Sequence, residues 1–132
     1  MKKCILSAVF FLFLKISVGQ YSLMFCESVS ADGIPEKAAT SFAQKSEGRA
    51  VNLFVRADEG FDTDQLKFTI YFMNAEGNEE EISKLPQTIE PGWNYIWKEV
   101  SLFNAGTYRV KVYNAKGTYL TSANMTIKSS GK

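Results

Sequence analysis

Residues 103–127 most constrain what this chain can become. Tyr108, Val110 and Val112 alternate with Arg109, Lys111 and Tyr113, the two-residue period of a strand with one face in a core and the other in water. Asn114-Ala115-Lys116-Gly117 follows, and then a second strand-like run over residues 118–127. Gly117 can take positive φ without a Cβ clash, so this turn folds the chain back as an antiparallel hairpin. Tyr108, Val110 and Val112 are the continuous apolar set of their strand and must point inward; a slip of one residue would bury Arg109 and Lys111 instead. Val110 and Val112 are expected to pack with Val51, Leu53 and Val55 or with Phe68, Ile70 and Phe72. The partner run changes parity between Leu120 and the set Ala123, Met125 and Ile127, which predicts a β-bulge near Thr121 and Ser122.

The segments from residue 21 onward repeat this pattern. Residues 21–29 read as a first strand, with Tyr21, Leu23 and Phe25 on one side and Ser22, Met24 and Cys26 on the other. Ala31-Asp32-Gly33-Ile34-Pro35 is a turn. Residues 37–44 fit an edge strand through Thr40 and Phe42 or a single helical turn, with the edge strand preferred. Val51, Leu53 and Val55 alternate with Asn52, Phe54 and Arg56, and Phe68, Ile70 and Phe72 with Lys67, Thr69, Tyr71 and Met73. Asn74-Ala75-Glu76-Gly77 repeats the turn chemistry of Asn114 to Gly117 and leads into a return strand. Its start, Glu79-Glu80-Glu81, reads as a charged edge that discourages aggregation. Residues 85–92 carry Pro86 and Pro91 and read as a connection. No helical period lasts more than two turns, so the fold class is all-β. The expected architecture is an antiparallel β-sandwich of about seven to eight strands.

Residues 1–19 stand apart. Lys2 and Lys3 precede an apolar run from Cys4 to Leu14, and Ser17, Val18 and Gly19 offer the small residues a signal peptidase reads. The run falls short of the roughly 20 apolar residues that span a bilayer. The expected organisation is therefore a cleaved signal peptide, residues 1–19, and one domain over residues 20–132, secreted or periplasmic, with no membrane insertion after cleavage. Loss of Lys2, Lys3 and Lys15 with the signal leaves twelve Lys and Arg against fourteen Asp and Glu. That balance offers nucleic acid no basic face.

The chain has no histidine, which excludes Ser-His-Asp and Cys-His catalysis and every His-containing metal site. Cys26 is the only cysteine beyond the signal, so it has no intramolecular partner; it reads as a small buried residue of the first strand. Asp58, Glu59, Asp62 and Asp64 crowd one loop, but without the spacing of an EF-hand, and a solvated acidic turn is the preferred reading over a calcium site. Glycoside hydrolysis needs two carboxylates facing each other across a cleft, and a sandwich of this length has little material for one. The chain therefore reads as a non-enzyme without a cofactor.

Residues 93–102 are ambiguous. Trp93, Tyr95, Trp97 and Glu99 share one face, and Asn94, Ile96, Lys98 and Val100 the other. The preferred expectation is that the three aromatics fill the core. If they face solvent, they form a flat platform for sugar rings.

The run Asn104-Ala105-Gly106-Thr107-Tyr108-Arg109-Val110 resembles the immunoglobulin-like fold, in which a related run opens the penultimate strand and its tyrosine makes the "tyrosine corner". Here Asn104 stands for an Asp, Tyr108 for the tyrosine and Val110 for a cysteine. The resemblance implies that Tyr108 is buried with its hydroxyl bonded to groups before Gly106. Across its length the chain also resembles small secreted proteins of Bacteroidetes-type bacteria. The features are the lysine-led signal with Gln20 after the cleavage point, Phe25-Cys26-Glu27, the turn at Gly33 to Pro35, and the stretch from Ala105 to Tyr113. That resemblance implies an exported immunoglobulin-like sandwich and carries no activity. Two functions follow as expectations: a non-catalytic binding or structural module of the envelope, contacting an envelope protein or glycan through residues 58–64 and 86–92, or a carbohydrate-binding module using Trp93, Tyr95 and Trp97.

Overall fold

The computed structural model describes residues 21–74 and 76–129; the expected signal peptide lies outside the described residues. These form ten strands: β1 (Tyr21–Cys26), β2 (Ser28–Val29), β3 (Pro35–Glu36), β4 (Ser41–Ala43), β5 (Arg49–Ala57), β6 (Gln65–Met73), β7 (Glu79–Thr88), β8 (Tyr95–Leu102), β9 (Gly106–Asn114) and β10 (Tyr119–Lys128). A five-stranded sheet, ordered β4-β10-β9-β6-β7, faces a three-stranded sheet, β1-β5-β8, and β2 pairs with β3 in a small hairpin. Among the described residues no helix is long and apolar enough to cross a membrane.

The hairpin at residues 106–128 forms as its sequence predicts. β9 and β10 pair antiparallel, with Tyr108 opposite Met125 and Val110 opposite Ala123. Asn114 closes the turn: its side-chain oxygen accepts the backbone N–H groups of Lys116 and Thr118 at 2.9 Å each, and Gly117 sits at φ 87°. Asn74 does the same for Glu76 and Asn78. The bulge lies one step nearer the turn than expected. Val112 pairs with Thr121 but Tyr113 with Tyr119, so Leu120 is the extra residue. Its insertion resets parity and sends Ala123, Met125 and Ile127 to the core side.

Faces follow from pairing, because directly opposed residues share a side of the sheet. Val110 and Val112 are fully buried, flanked in their own sheet by Ile70 and Phe68 of β6. Val51, Leu53 and Val55 of β5 belong to the same apolar cluster from the other sheet. Tyr108 is buried and donates its hydroxyl to the Asn104 carbonyl at 2.7 Å. Gly106 is needed beside it, because a Cβ there would lie 2.7 Å from the Phe72 ring, which itself packs on Tyr108 at 5.0 Å.

Four expectations are corrected. The first strand stops at Cys26, which is buried as expected; residues 28–29 leave it to pair with residues 35–36. Ser41–Ala43 is an edge strand, but it runs parallel to β10. The return strand β7 continues through Pro86 to Thr88, so residues 86–88 are not loop. Proline is tolerated there because β7 is an edge. The fourth concerns β8, where the aromatic face is turned away from the core. β7 also bulges at Ile82, which has no partner between Ser83 and Glu81. The edge β8 carries Lys98 on its inward side, opposite Leu53. Bulges, prolines and inward charges are devices that keep an edge from pairing with another chain.

Candidate aromatic binding strip

The register of β8 on β5 decides where the aromatics go. Ile96 lies opposite Val55 and Val100 opposite Val51. Val51, Leu53 and Val55 are buried, so the even-numbered residues of β8 must follow them inward. Tyr95 and Trp97 are thereby turned outward, with Trp97 opposite Phe54. Trp93 is 42% and Trp97 41% exposed, and Tyr95 is half-buried. The expectation that these rings fill the core is overturned: the aliphatic register of β5 outweighs the aromatic content of β8.

The outward rings form a ladder. Phe54 and Tyr95 are nearly parallel, with centroids 5.7 Å apart and planes at 17°. Tyr95 and Trp97 follow at 6.2 Å and 12°, and the Arg56 guanidinium lies 5.5 Å from the Phe54 centroid. Such offset stacks and cation contacts hold ring orientation beyond what area burial alone does. Phe54 is buried although it points away from the core. The β2–β3 hairpin lies on this outer face: the Asn52 amide donates to the Glu27 carbonyl at 3.0 Å, and Gly33 abuts Tyr95. A Cβ at Gly33 would meet the Tyr95 ring at 2.2 Å, so only glycine lets the hairpin tip close on that ring. The ladder is thus fixed at one end by Arg56 and the hairpin, and its other end, Trp97, faces water.

A cleft of about 570 Å³ runs beside these rings, lined by Gln87 of β7 and by residues 92–97. The turn before β8 places Trp93: its N–H donates to the Glu90 carbonyl at 3.2 Å, and Gly92 takes φ 91°. The Asn94 carbonyl accepts from Ala57 N–H at 2.9 Å and ties the entry of β8 to the end of β5. The cleft is lined by two indoles, one tyrosine and two side-chain amides, apolar area with a few hydrogen-bonding groups, as ligand clefts have.

The two loops expected to contact partners are brought together at one end of the sandwich. Ile89 N–H donates to the Asp64 carbonyl at 2.9 Å, and residues 61–64 and 89–91 line a cleft of about 300 Å³. Asp62 accepts the Tyr21 hydroxyl at 2.8 Å. Burial, and then the neighbouring carboxylate, push the Tyr21 phenol up to about 12. Among the described residues no three of His, Cys, Asp and Glu gather as metal ligands would.

The structure is similar to the crystal structure of an immunoglobulin-like protein from Pseudomonas aeruginosa, with a TM-score of 0.55, at 10% sequence identity, over 81% of this chain and 92% of that one. The fold is immunoglobulin-like. A superoxide reductase (neelaredoxin) from Ignicoccus hospitalis overlaps 81% of this chain and 82% of its own at 12% identity, with a TM-score of 0.40, too slight a likeness to speak for fold or chemistry. No protein-family model matches the sequence, and comparison with curated proteins gives no significant match.

Phe54, Arg56, Gly33 and Gln87 belong to the strip and were not foreseen from sequence. Phe54 had a legible signal, since it breaks the polar face shared by Asn52 and Arg56. Gly33 and Gln87 had none, because their roles exist only through contacts distant in sequence.

Proposed function

We propose that this chain is a non-catalytic, exported binding module of the bacterial envelope whose ligand is a glycan stacked on Trp93 and Trp97. The observation that carries the reading is the pair of indoles left about two-fifths exposed, Trp93 in the turn before the edge strand β8 and Trp97 on it, beside a cleft. Large aromatics left in water at a concave, amide-lined surface mark interaction sites more often than they serve stability. The flat, electron-rich ring face suits the C–H face of a sugar ring, and the Gln87 and Asn94 side chains supply amides for its hydroxyls. Export rests on the charged start, short apolar run and small-residue exit of residues 1–19. The likeness to small secreted proteins of Bacteroidetes-type bacteria agrees with it.

The test is a glycan array and a tryptophan-fluorescence titration with soluble polysaccharides, on the purified protein and on Trp93→Ala and Trp97→Ala. Binding that shifts the fluorescence and is lost in folded variants is the expected result. An array without signal, together with fluorescence that polysaccharides leave unchanged, overturns the proposal.

A further inference from the structure

We propose a second binding surface, on the opposite sheet, that takes a carboxylate-bearing sugar such as a uronic acid. It uses none of the residues of the tryptophan strip and does not rest on that reading. The outer face of the five-stranded sheet holds a basin of about 480 Å³, lined by Arg109, Lys111, Tyr113, Tyr119, Ser122 and Asn124. The register places these groups together: Arg109 is opposite Asn124, Lys111 opposite Ser122, and Tyr113 opposite Tyr119 across the bulge at Leu120. Without that bulge Tyr113 would face a different partner, so the irregularity of β10 builds the aromatic wall.

The wall is fixed. Tyr113 and Tyr119 meet edge to face at 6.1 Å and 69°, and the Tyr119 hydroxyl and Ser122 Oγ are 2.9 Å apart. Tyr119 is nonetheless 54% exposed, so one ring face stays open to a ligand. Arg109 is held by Nε to Asn124 Oδ1 at 3.0 Å and by Nη1 to Glu79 Oε2 at 2.7 Å. Among the described residues its Nη2 has no partner, and Lys111 has no carboxylate within ion-pair reach; its Nζ lies over the Tyr71 ring, 4.9 Å from the centroid.

The charges select the ligand. Glu79 takes up the charge of Arg109; among the described residues that line the basin, Lys111 is then the cation without a carboxylate partner. A single carboxylate answers one such cation, with Arg109 Nη2 as a second donor. Glu81, opposite Tyr71 on this same face, is paired with Lys84 at 3.7 Å, so neither acid beside the basin takes up the charge of Lys111. A sugar ring bearing one carboxylate presents both what the tyrosine wall stacks and what Lys111 pairs.

Calorimetric titration of the purified protein with an oligomer of galacturonic acid, and with its uncharged methyl ester, tests this. The acid should bind, and the ester should bind at least about tenfold more weakly, the loss expected for one charge-assisted contact. Lys111→Ala and Lys111→Gln should weaken the acid by a similar factor while Trp97→Ala leaves it unchanged, and added salt should weaken it further. No binding of the acid, equal binding of acid and ester, or binding that Lys111→Ala and Lys111→Gln do not alter overturns the proposal. A loss confined to Trp97→Ala overturns it too, by placing the uronate on the other sheet.

Discussion

Tyr108 shows how one hydroxyl can anchor a strand entry. Its ring is buried against Phe72, and its O–H satisfies the Asn104 carbonyl in the connection before β9. Tyr108→Phe keeps the packing and removes one hydrogen bond, so it should cost about 1 kcal/mol, and more if the carbonyl is left dry. A fall of a few degrees in Tm checks this; an unchanged Tm contradicts it. Gly33 is the residue-scale control on the aromatic ladder. Gly33→Ala places a Cβ inside the contact distance of the Tyr95 ring, at a backbone φ of 79° that side chains disfavour. It should destabilise by about 1–3 kcal/mol and alter the emission of Trp97, which stacks on Tyr95. Unaltered emission would show that the hairpin does not hold the ladder.

At the scale of elements, β9 is the test of register. Val110 is fully buried between Ile70 and Ala123, so Val110→Asp puts an unpaired carboxylate in an apolar core and should unfold the domain. Arg109, one residue away, faces outward with Glu79 and Asn124. Arg109→Ala should cost under about 1 kcal/mol, as surface ion pairs do. Arg109→Asp is less benign than its exposure suggests, because it sets a second carboxylate against Glu79. Chemical denaturation of the three variants should rank them Val110→Asp far below the others. β8 is the second informative element. Trp93→Ala and Trp97→Ala should each lose under about 1.5 kcal/mol, since neither ring is in the core; a larger loss would mean the strip is structural.

For the whole molecule, alkaline pH is the condition expected to loosen the sandwich. Burial and the neighbouring Asp62 raise Tyr21 to about 12, against an ordinary phenol near 10, and burial raises Tyr108 and Cys26 as well. The folded state therefore keeps the Tyr21 proton when the unfolded chain has released it. That contribution is fully present below about pH 10 and is lost as pH rises from about 10 to 12. Stability measured across that window should fall, and Tyr21→Phe, which has no proton to lose, should fall less. Equal slopes for the two proteins would show that Tyr21 does not couple the first strand to the 58–64 loop.

What the sequence by itself determined is everything that depends on near neighbours. The alternation of Tyr108, Val110 and Val112 with charged residues left only one face to bury, the Asn-Ala-x-Gly runs specified their own turns through the asparagine side chain, and the spacing of Asn104 to Tyr108 sufficed for the corner. Where both faces of a strand were apolar, local pattern had no vote. β8 could have buried its aromatics or its aliphatics, and the choice fell to Val51, Leu53 and Val55 of β5, whose inward side fixes the side of every residue paired with them. The parallel docking of Ser41–Ala43 and the closing of the β2–β3 hairpin tip on Tyr95 were decided in the same way. So were the displacement of the bulge to Leu120 and the continuation of β7 through Pro86. Each depends on which strand lies alongside, and only the packing of the two sheets decides that.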